Sequence, residues 1–157
     1  MRERIANLTS NILNPFLVSL ALILLFSFKS TSTAVDAFRW WLILIAVSIL
    51  PVFSVMLYLA RHGKLDSIFT NVRGQRTKIY LVASVYAGAS CVILHYLRAP
   101  LVLVAAFVAG LLVAVIFMGI NLWWKISLHT AFIAASVTAL VILYEPIMAI
   151  TVVLLPL

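Results

Sequence analysis

Apolar runs long enough to cross a bilayer recur along this chain, separated by short polar segments that hold most of its basic residues. A run needs about 20 residues to span about 30 Å of hydrocarbon, at about 1.5 Å of helix rise per residue. Five runs reach or approach that length: Ile12–Phe28, Trp40–Ala60, Ile79–Leu97, Leu101–Ile120 and Leu128–Tyr144. A further run, Ile147–Leu157, follows Glu145-Pro146 and is too short to cross, so the chain is expected to be C-terminally incomplete. Within hydrocarbon each segment must satisfy its own backbone hydrogen bonds, which a helix does. The expected fold is therefore all-α. It is a single transmembrane domain over residues 1–157, a multi-span helix bundle with five full spans plus a partial sixth.

Composition removes the water-soluble alternative. The 157 residues are 66% hydrophobic and 10% charged, with a mean hydropathy of +1.23. A soluble domain carries about 25% charged residues, so the polar surface here is too small to coat a globule in water. The net charge of +7 does not point to nucleic acid. The basic residues sit in short connectors, and no basic helix or aromatic-basic face is available to meet a polynucleotide. Topology signals and anionic headgroups account for them better. The N-terminus and the 61–78 and 121–127 loops hold eight lysines and arginines against three in the other connectors. Positive-inside bias places those eight in the cytoplasm of a multi-pass cell-membrane protein. Met1–Asn11 is polar, and the run after it has no small-residue cleavage site, unlike a signal peptide. Cys91 is the sole cysteine, so no intrachain disulfide forms. Its small neighbours suit a buried, inert thiol.

Local signals refine the spans. Pro15 suits the first turn of the first helix, and Pro51 should kink or locally break the second. Trp40 and Trp41 read as interfacial anchors. The turn at Arg98-Ala99-Pro100 is so short that the helices on either side must be antiparallel neighbours. Small residues at fours spacing support their close packing: Ala83, Ala87 and Cys91 on one, Ala106, Gly110 and Ala114 on the other.

The chemistry concentrates in Asn121–Thr130, which places a lysine, a serine and a histidine within five residues. The hairpin of the third and fourth spans leaves from the side holding Arg61–Lys78 and returns to it. A basic segment and the Lys125/Ser127/His129 group are thereby delivered to one membrane face. Arginine and lysine hold phosphate oxygens through charge-assisted hydrogen bonds, arginine as a two-pronged fork. Ser127 is placed to cap the fifth helix, whose N-terminal N–H groups also favour an anion. His129 has the chemistry to donate a proton to a leaving oxygen near neutral pH.

The run Lys125-Ile-Ser-Leu-His129-Thr lies about fifty residues after Asn71-Val-Arg-Gly-Gln-Arg76-Thr-Lys78. This arrangement resembles the type 2 phosphatidic acid phosphatase superfamily, in its divergent bacterial membrane-associated form. The resemblance implies that Arg73 and Arg76, with Lys64, hold phosphate, and the segment's own chemistry adds Lys125 and Ser127 to them. It implies that Ser127 and His129 correspond to the family's serine and histidine, His129 being the general acid. The mechanism it implies is metal-independent, needs no cofactor, and passes through a phosphohistidine on a histidine of a third motif. Leu128 stands where the family has glycine, and the third motif is absent from this sequence. The chain as it stands is thus expected not to turn over. The implied partners are the bilayer and a lipid phosphate, either isoprenoid or glycerolipid.

Two other functions stay open at this point. An intramembrane prenyltransferase also uses basic loops, but it needs aspartate-rich magnesium motifs, and Asp36 and Asp66 are isolated. A non-enzymatic membrane subunit or transporter element would leave Lys125 as an interfacial anchor and His129 as a hydrogen-bonded histidine at a helix entry. In that case Arg61–Lys78 is a solvated, positive-inside loop.

Overall fold

Residues 15–66, 72–124 and 128–144 are described by the computed structural model, except for the side chains of Pro15, Arg73, Leu128, His129 and Ala131. They form five helices: α1 (Pro15–Ser30), α2 (Ala34–Arg61), α3 (Arg73–Tyr96), α4 (Leu101–Trp123) and α5 (Leu128–Tyr144). No strand occurs among the described residues. The chain is all-α, as its composition requires. Helices α2, α3 and α4 are long and apolar enough to cross a membrane, whereas α1 and α5 are apolar but shorter. The expected five full spans therefore reduce to three by this measure. With 16 residues, α1 rises about 24 Å, short of the hydrocarbon thickness. The partial sixth run, Ile147–Leu157, lies outside the described residues.

Two helices start earlier than their apolar runs. Helix α2 begins at Ala34 rather than Trp40, because Thr33 caps it. Thr33 Oγ1 accepts from the Asp36 N–H at 3.1 Å and donates to Asp36 Oδ2 at 2.7 Å. Asp36 in the first turn also suits the positive end of the helix dipole. Helix α3 begins at Arg73, so Arg73–Lys78 is helical rather than loop. Glutamine, arginine and lysine are good helix formers. Charge interrupts the apolar run there without interrupting the helix.

Helices α3 and α4 make the most extensive pairing in the fold. At their far end Asn121 Nδ2 donates to Thr77 Oγ1 at 3.1 Å. The two residues lie equally far along the chain from Ala99, which fixes the register of the antiparallel hairpin. Helix α1 packs against α2, α4 and α5. Near the Leu97–Pro100 turn, Phe26, Leu44, Leu94 and Leu103 form one buried cluster, with Ala106 and Leu143 packed against it. Towards the opposite end, Met56, Leu65 and Ile79 form a second cluster, joined by Phe16. This end also holds Arg61 and Lys64 and is the basic end of the bundle. Helix α5 runs alongside α1 in the same direction. Tyr144 Oη donates to the Leu25 carbonyl, and Lys29 Nζ lies 5.4 Å from the centre of the Tyr144 ring. Outward faces are apolar: Leu112, Ile116 and Ile142 are all more than half exposed, a surface suited to lipid. Gly110 belongs to that surface and does not mediate close approach. A Cβ built there would meet nothing within 4 Å.

The break expected at Pro51 takes the form of a π turn, Ile45–Ile49, just before it. Proline has no N–H to give to the carbonyl four residues back, here Val47. That oxygen is satisfied from the next helix: Ser90 Oγ lies 3.2 Å from it and 2.7 Å from the Tyr86 carbonyl, sharing its proton between them. Ser90→Ala should therefore cost about 1 kcal/mol. Adding Pro51→Ala, which returns an N–H to Val47, should remove about half of that cost or more. Unfolding in detergent across the double-mutant cycle measures this. An equal cost in both backgrounds contradicts the account.

Helices α2 and α3 end in the same way. After α2, Gly63 (φ 67°) and Lys64 donate to the carbonyls of Ala60 and Leu59. After α3, Arg98 (φ 52°) and Ala99 donate to those of His95 and Leu94. Both are Schellman closures, in which the left-handed residue is ordinarily glycine. Arginine at that position carries a strain of about 1 kcal/mol. Arg98→Gly should thus raise the unfolding free energy by about 1 kcal/mol, whereas Gly63→Ala should lower it by a similar amount. Denaturation of the two variants in one detergent checks both signs.

Candidate phosphate-facing site at the basic end

The residues that the sequence nominates fall into three groups. Lys64 is exposed, and its backbone N–H closes the end of α2 through Leu59 O at 2.9 Å. Its ammonium group is therefore a solvent-screened charge. Arg73 is the first residue of α3 and His129 the second of α5, but their side chains lie outside the described residues. Lys125 and Ser127 lie outside them altogether, and with them the proposed serine cap. Arg76 remains. It sits in the first turn of α3 and is 6% exposed. A residue read from sequence as a loop cation is an enclosed one.

Enclosure changes what that cation can do. Two unit charges 4 Å apart attract by about 1 kcal/mol in bulk water and by about 4 kcal/mol at an effective dielectric of 20. The guanidinium of Arg76 is thus a much stronger anchor for an anion than the ammonium of Lys64. Nearby, the Asp66 N–H donates to Gln75 Oε1 at 2.9 Å. Leu65 is buried against Met56 and Ile79 just below, so Leu65 and Asp66, just past α2, are tied to the start of α3.

Sequence reasoning missed the residues inward of Arg76. Tyr80 and Ser84 follow it at helical fours spacing, on one row of α3, and Tyr80 is 4% exposed. Thr77, on the adjoining row, meets the fully buried Asn121 of α4. The Arg76/Tyr80/Ser84 spacing was the available signal, since polar residues four apart share a helix face. A tyrosine and a serine inside an apolar run read more readily as lipid-compatible filler.

Helix α5 starts at the same end of the bundle, because α4 ends there at Trp123 and α5 resumes at Leu128. One turn above His129, Ile133 opens a groove between α5 and α1, where Ser136 gives its hydroxyl to the Phe132 carbonyl. Val18, Leu22, Val137 and Leu140 also line it. The bundle therefore holds an enclosed cation at one end and, further in, a largely apolar groove between α1 and α5. An anionic headgroup and an apolar tail are the chemistry such a pair can accept.

Three helices able to span and apolar outward faces are consistent with an integral membrane protein of the multi-pass helical class. Comparison of the chain with family models, curated proteins and solved structures finds no match.

Proposed function

We propose that the protein is an integral membrane, lipid-phosphate phosphatase-like protein that takes the phosphate of a lipid at its basic end. The observation that carries this reading is the enclosed guanidinium of Arg76 at the end of the bundle where α5 begins. Arg76 and Arg73 grip the phosphate oxygens, with Lys64, Lys125 and Ser127 around them. His129 protonates the leaving oxygen. The N-terminus and the 61–78 and 121–127 segments face the cytoplasm, with α1 and α5 crossing the membrane beside the three longer spans. The resemblance to the phosphatidic acid phosphatase superfamily supports the roles of Ser127 and His129, and the α1–α5 groove supports a lipid as the ligand.

A second reading, a non-enzymatic membrane subunit, is favoured by Lys64, which is exposed as a cation of a solvated loop would be. Binding separates the proposed reading from inert scaffold more cleanly than turnover does. Purified chain in detergent should retain a phosphate lipid at least about tenfold more tightly than the neutral lipid with the same tails, as one charge-assisted contact would give. Equal retention of the two contradicts the proposal.

A further inference from the structure

Helix α2 is built in two halves that are fixed to different parts of the bundle. Its first half, Ala34–Leu44, belongs to the cluster near the Leu97–Pro100 turn. Leu44 is buried there with Trp40 beside it, and Trp41 Nε1 donates to the Leu20 carbonyl of α1 at 2.9 Å. Its second half, Leu50–Arg61, packs Val52, Met56 and Leu59 into the cluster at the basic end, with Ile79 of α3. Between them lies the π turn Ile45–Ile49, where the helical ladder changes register and Pro51 supplies no N–H. The polar link from that turn to α3 is slight. Ser90 Oγ is 3.2 Å from the Val47 carbonyl but 2.7 Å from that of Tyr86 in its own helix. Letting go of Val47 therefore leaves Ser90 satisfied.

The second half of α2 closes over the start of the polar row on α3. Leu65, just past its end, is buried against Ile79, and the Asp66 N–H reaches Gln75 Oε1. The enclosed Arg76 lies between those two contacts along α3. Further in, the hydroxyls of Tyr80 and Ser84 are enclosed and have no hydrogen-bond partner among the described residues. Ser27, Ser90 and Ser136, also buried, each donate to the carbonyl four residues back. Buried hydroxyls in a settled packing find such partners. Two on one row that do not are accounted for by a second arrangement in which water reaches them. We infer that Ile45–Ile49 is a hinge with Ser90 as its latch, and that Leu50–Arg61 swings away from α3 to open the Arg76–Ser84 row to water. As it swings, Ser90 keeps its bond to Tyr86, and water replaces it on the Val47 carbonyl. The hinge governs access to the row whatever the basic end binds, so it stands apart from the phosphate reading.

The test uses the full chain in lipid vesicles, in a Cys91→Ser background. Spin labels at cysteines replacing Tyr58 and Leu81, both more than half exposed, report the second half of α2 against α3. Their distance distribution should hold a minor component about 5 Å longer than the main one, as a kink of about 20° carried over about nine residues of helix gives. Ser90→Ala should enlarge that component about fivefold relative to the main one, the weight of one neutral hydrogen bond. Pro51→Ala, which returns an N–H to Val47, should abolish it. Labels replacing Leu42 and Val92, ahead of the hinge and also more than half exposed, should keep one distance throughout. Alkylation of Ser84→Cys by a charged, water-soluble maleimide should quicken about fivefold with Ser90→Ala and slow with Pro51→Ala. Opposite signs in the two variants separate a hinge from mere loosening. A Tyr58–Leu81 distance that neither substitution alters overturns the hinge. Lengthening of both label pairs together in Ser90→Ala also contradicts it. A labelling rate at Ser84→Cys that ignores both substitutions shows that the swing does not open the row, and overturns the gate.

Discussion

Arg76→Gln is expected to weaken phosphate-lipid retention on the order of 100-fold, the largest functional effect of any single substitution in the described part of the chain. Two charge-assisted hydrogen bonds at about 1.5 kcal/mol each give a loss of that size. Enclosure holds the contribution at that level, because water does not screen a guanidinium that is 6% exposed. Arg76→Lys separates charge from geometry. It keeps the cation but replaces the planar fork by a point charge, and should recover only part of the affinity, leaving a deficit of about tenfold. Lys64→Gln supplies the contrast. Its ammonium is exposed, so the loss should stay within about threefold. Retention of the same lipid by the three variants, measured beside their melting temperatures, separates binding from folding. An Arg76→Gln protein that retains the lipid like wild type would remove the cation from the site.

The largest stability effect should come from the opposite end of the bundle. Leu44, Leu94 and Leu103 are at most 1% exposed and share one cluster with Phe26. In lipid the transfer term for a leucine nearly vanishes, since the tails around the protein are as apolar as its core. The cavity term survives, because neighbouring side chains only partly collapse into the space left behind. Leu94→Ala should consequently cost about 2–3 kcal/mol, toward the low end of the soluble range. Leu112→Ala, on the outward face of α4 and 57% exposed, should cost at most about 0.5 kcal/mol. In water the same outward leucine would be an exposed apolar group with little to lose either, so the diagnostic number is the first. A Leu94→Ala cost near 5 kcal/mol would say that water and not lipid is the reference solvent.

How much of this was legible in the sequence follows from what each residue's signal competes with. Long apolar runs with few charges have one physical outcome, and α2, α3 and α4 were readable as helices, although the first two begin six residues before their apolar runs. The early start of α2 was legible too, in the Thr33 and Asp36 spacing, although serines and threonines nearby made Lys29–Arg39 look like connector. Arg73–Lys78 misled because charge predicts exposure well and helix ends poorly. Arg76 proves both helical and buried. No sequence signal marks Arg98 as left-handed, since glycine is the residue that ordinarily advertises such a closure. Pro51 announced a break, but only the partner helix reveals that Ser90 repairs it. Within the candidate site, the row from Arg76 through Tyr80 to Ser84 was present as a spacing and went unread. Its meaning lies in the missing partners of two hydroxyls, and partners are a property of packing.

Everything proposed about the site depends on α3 and α5 beginning at the same end of the bundle. Spin labels at cysteines replacing Gly74 and Thr130, in a Cys91→Ser background, measure that arrangement directly in a lipid bilayer. The account predicts a separation of at most about 20 Å, two helix diameters. A distance near the about 30 Å of the hydrocarbon core would put the two helix starts on opposite faces and leave no common site for a phosphate.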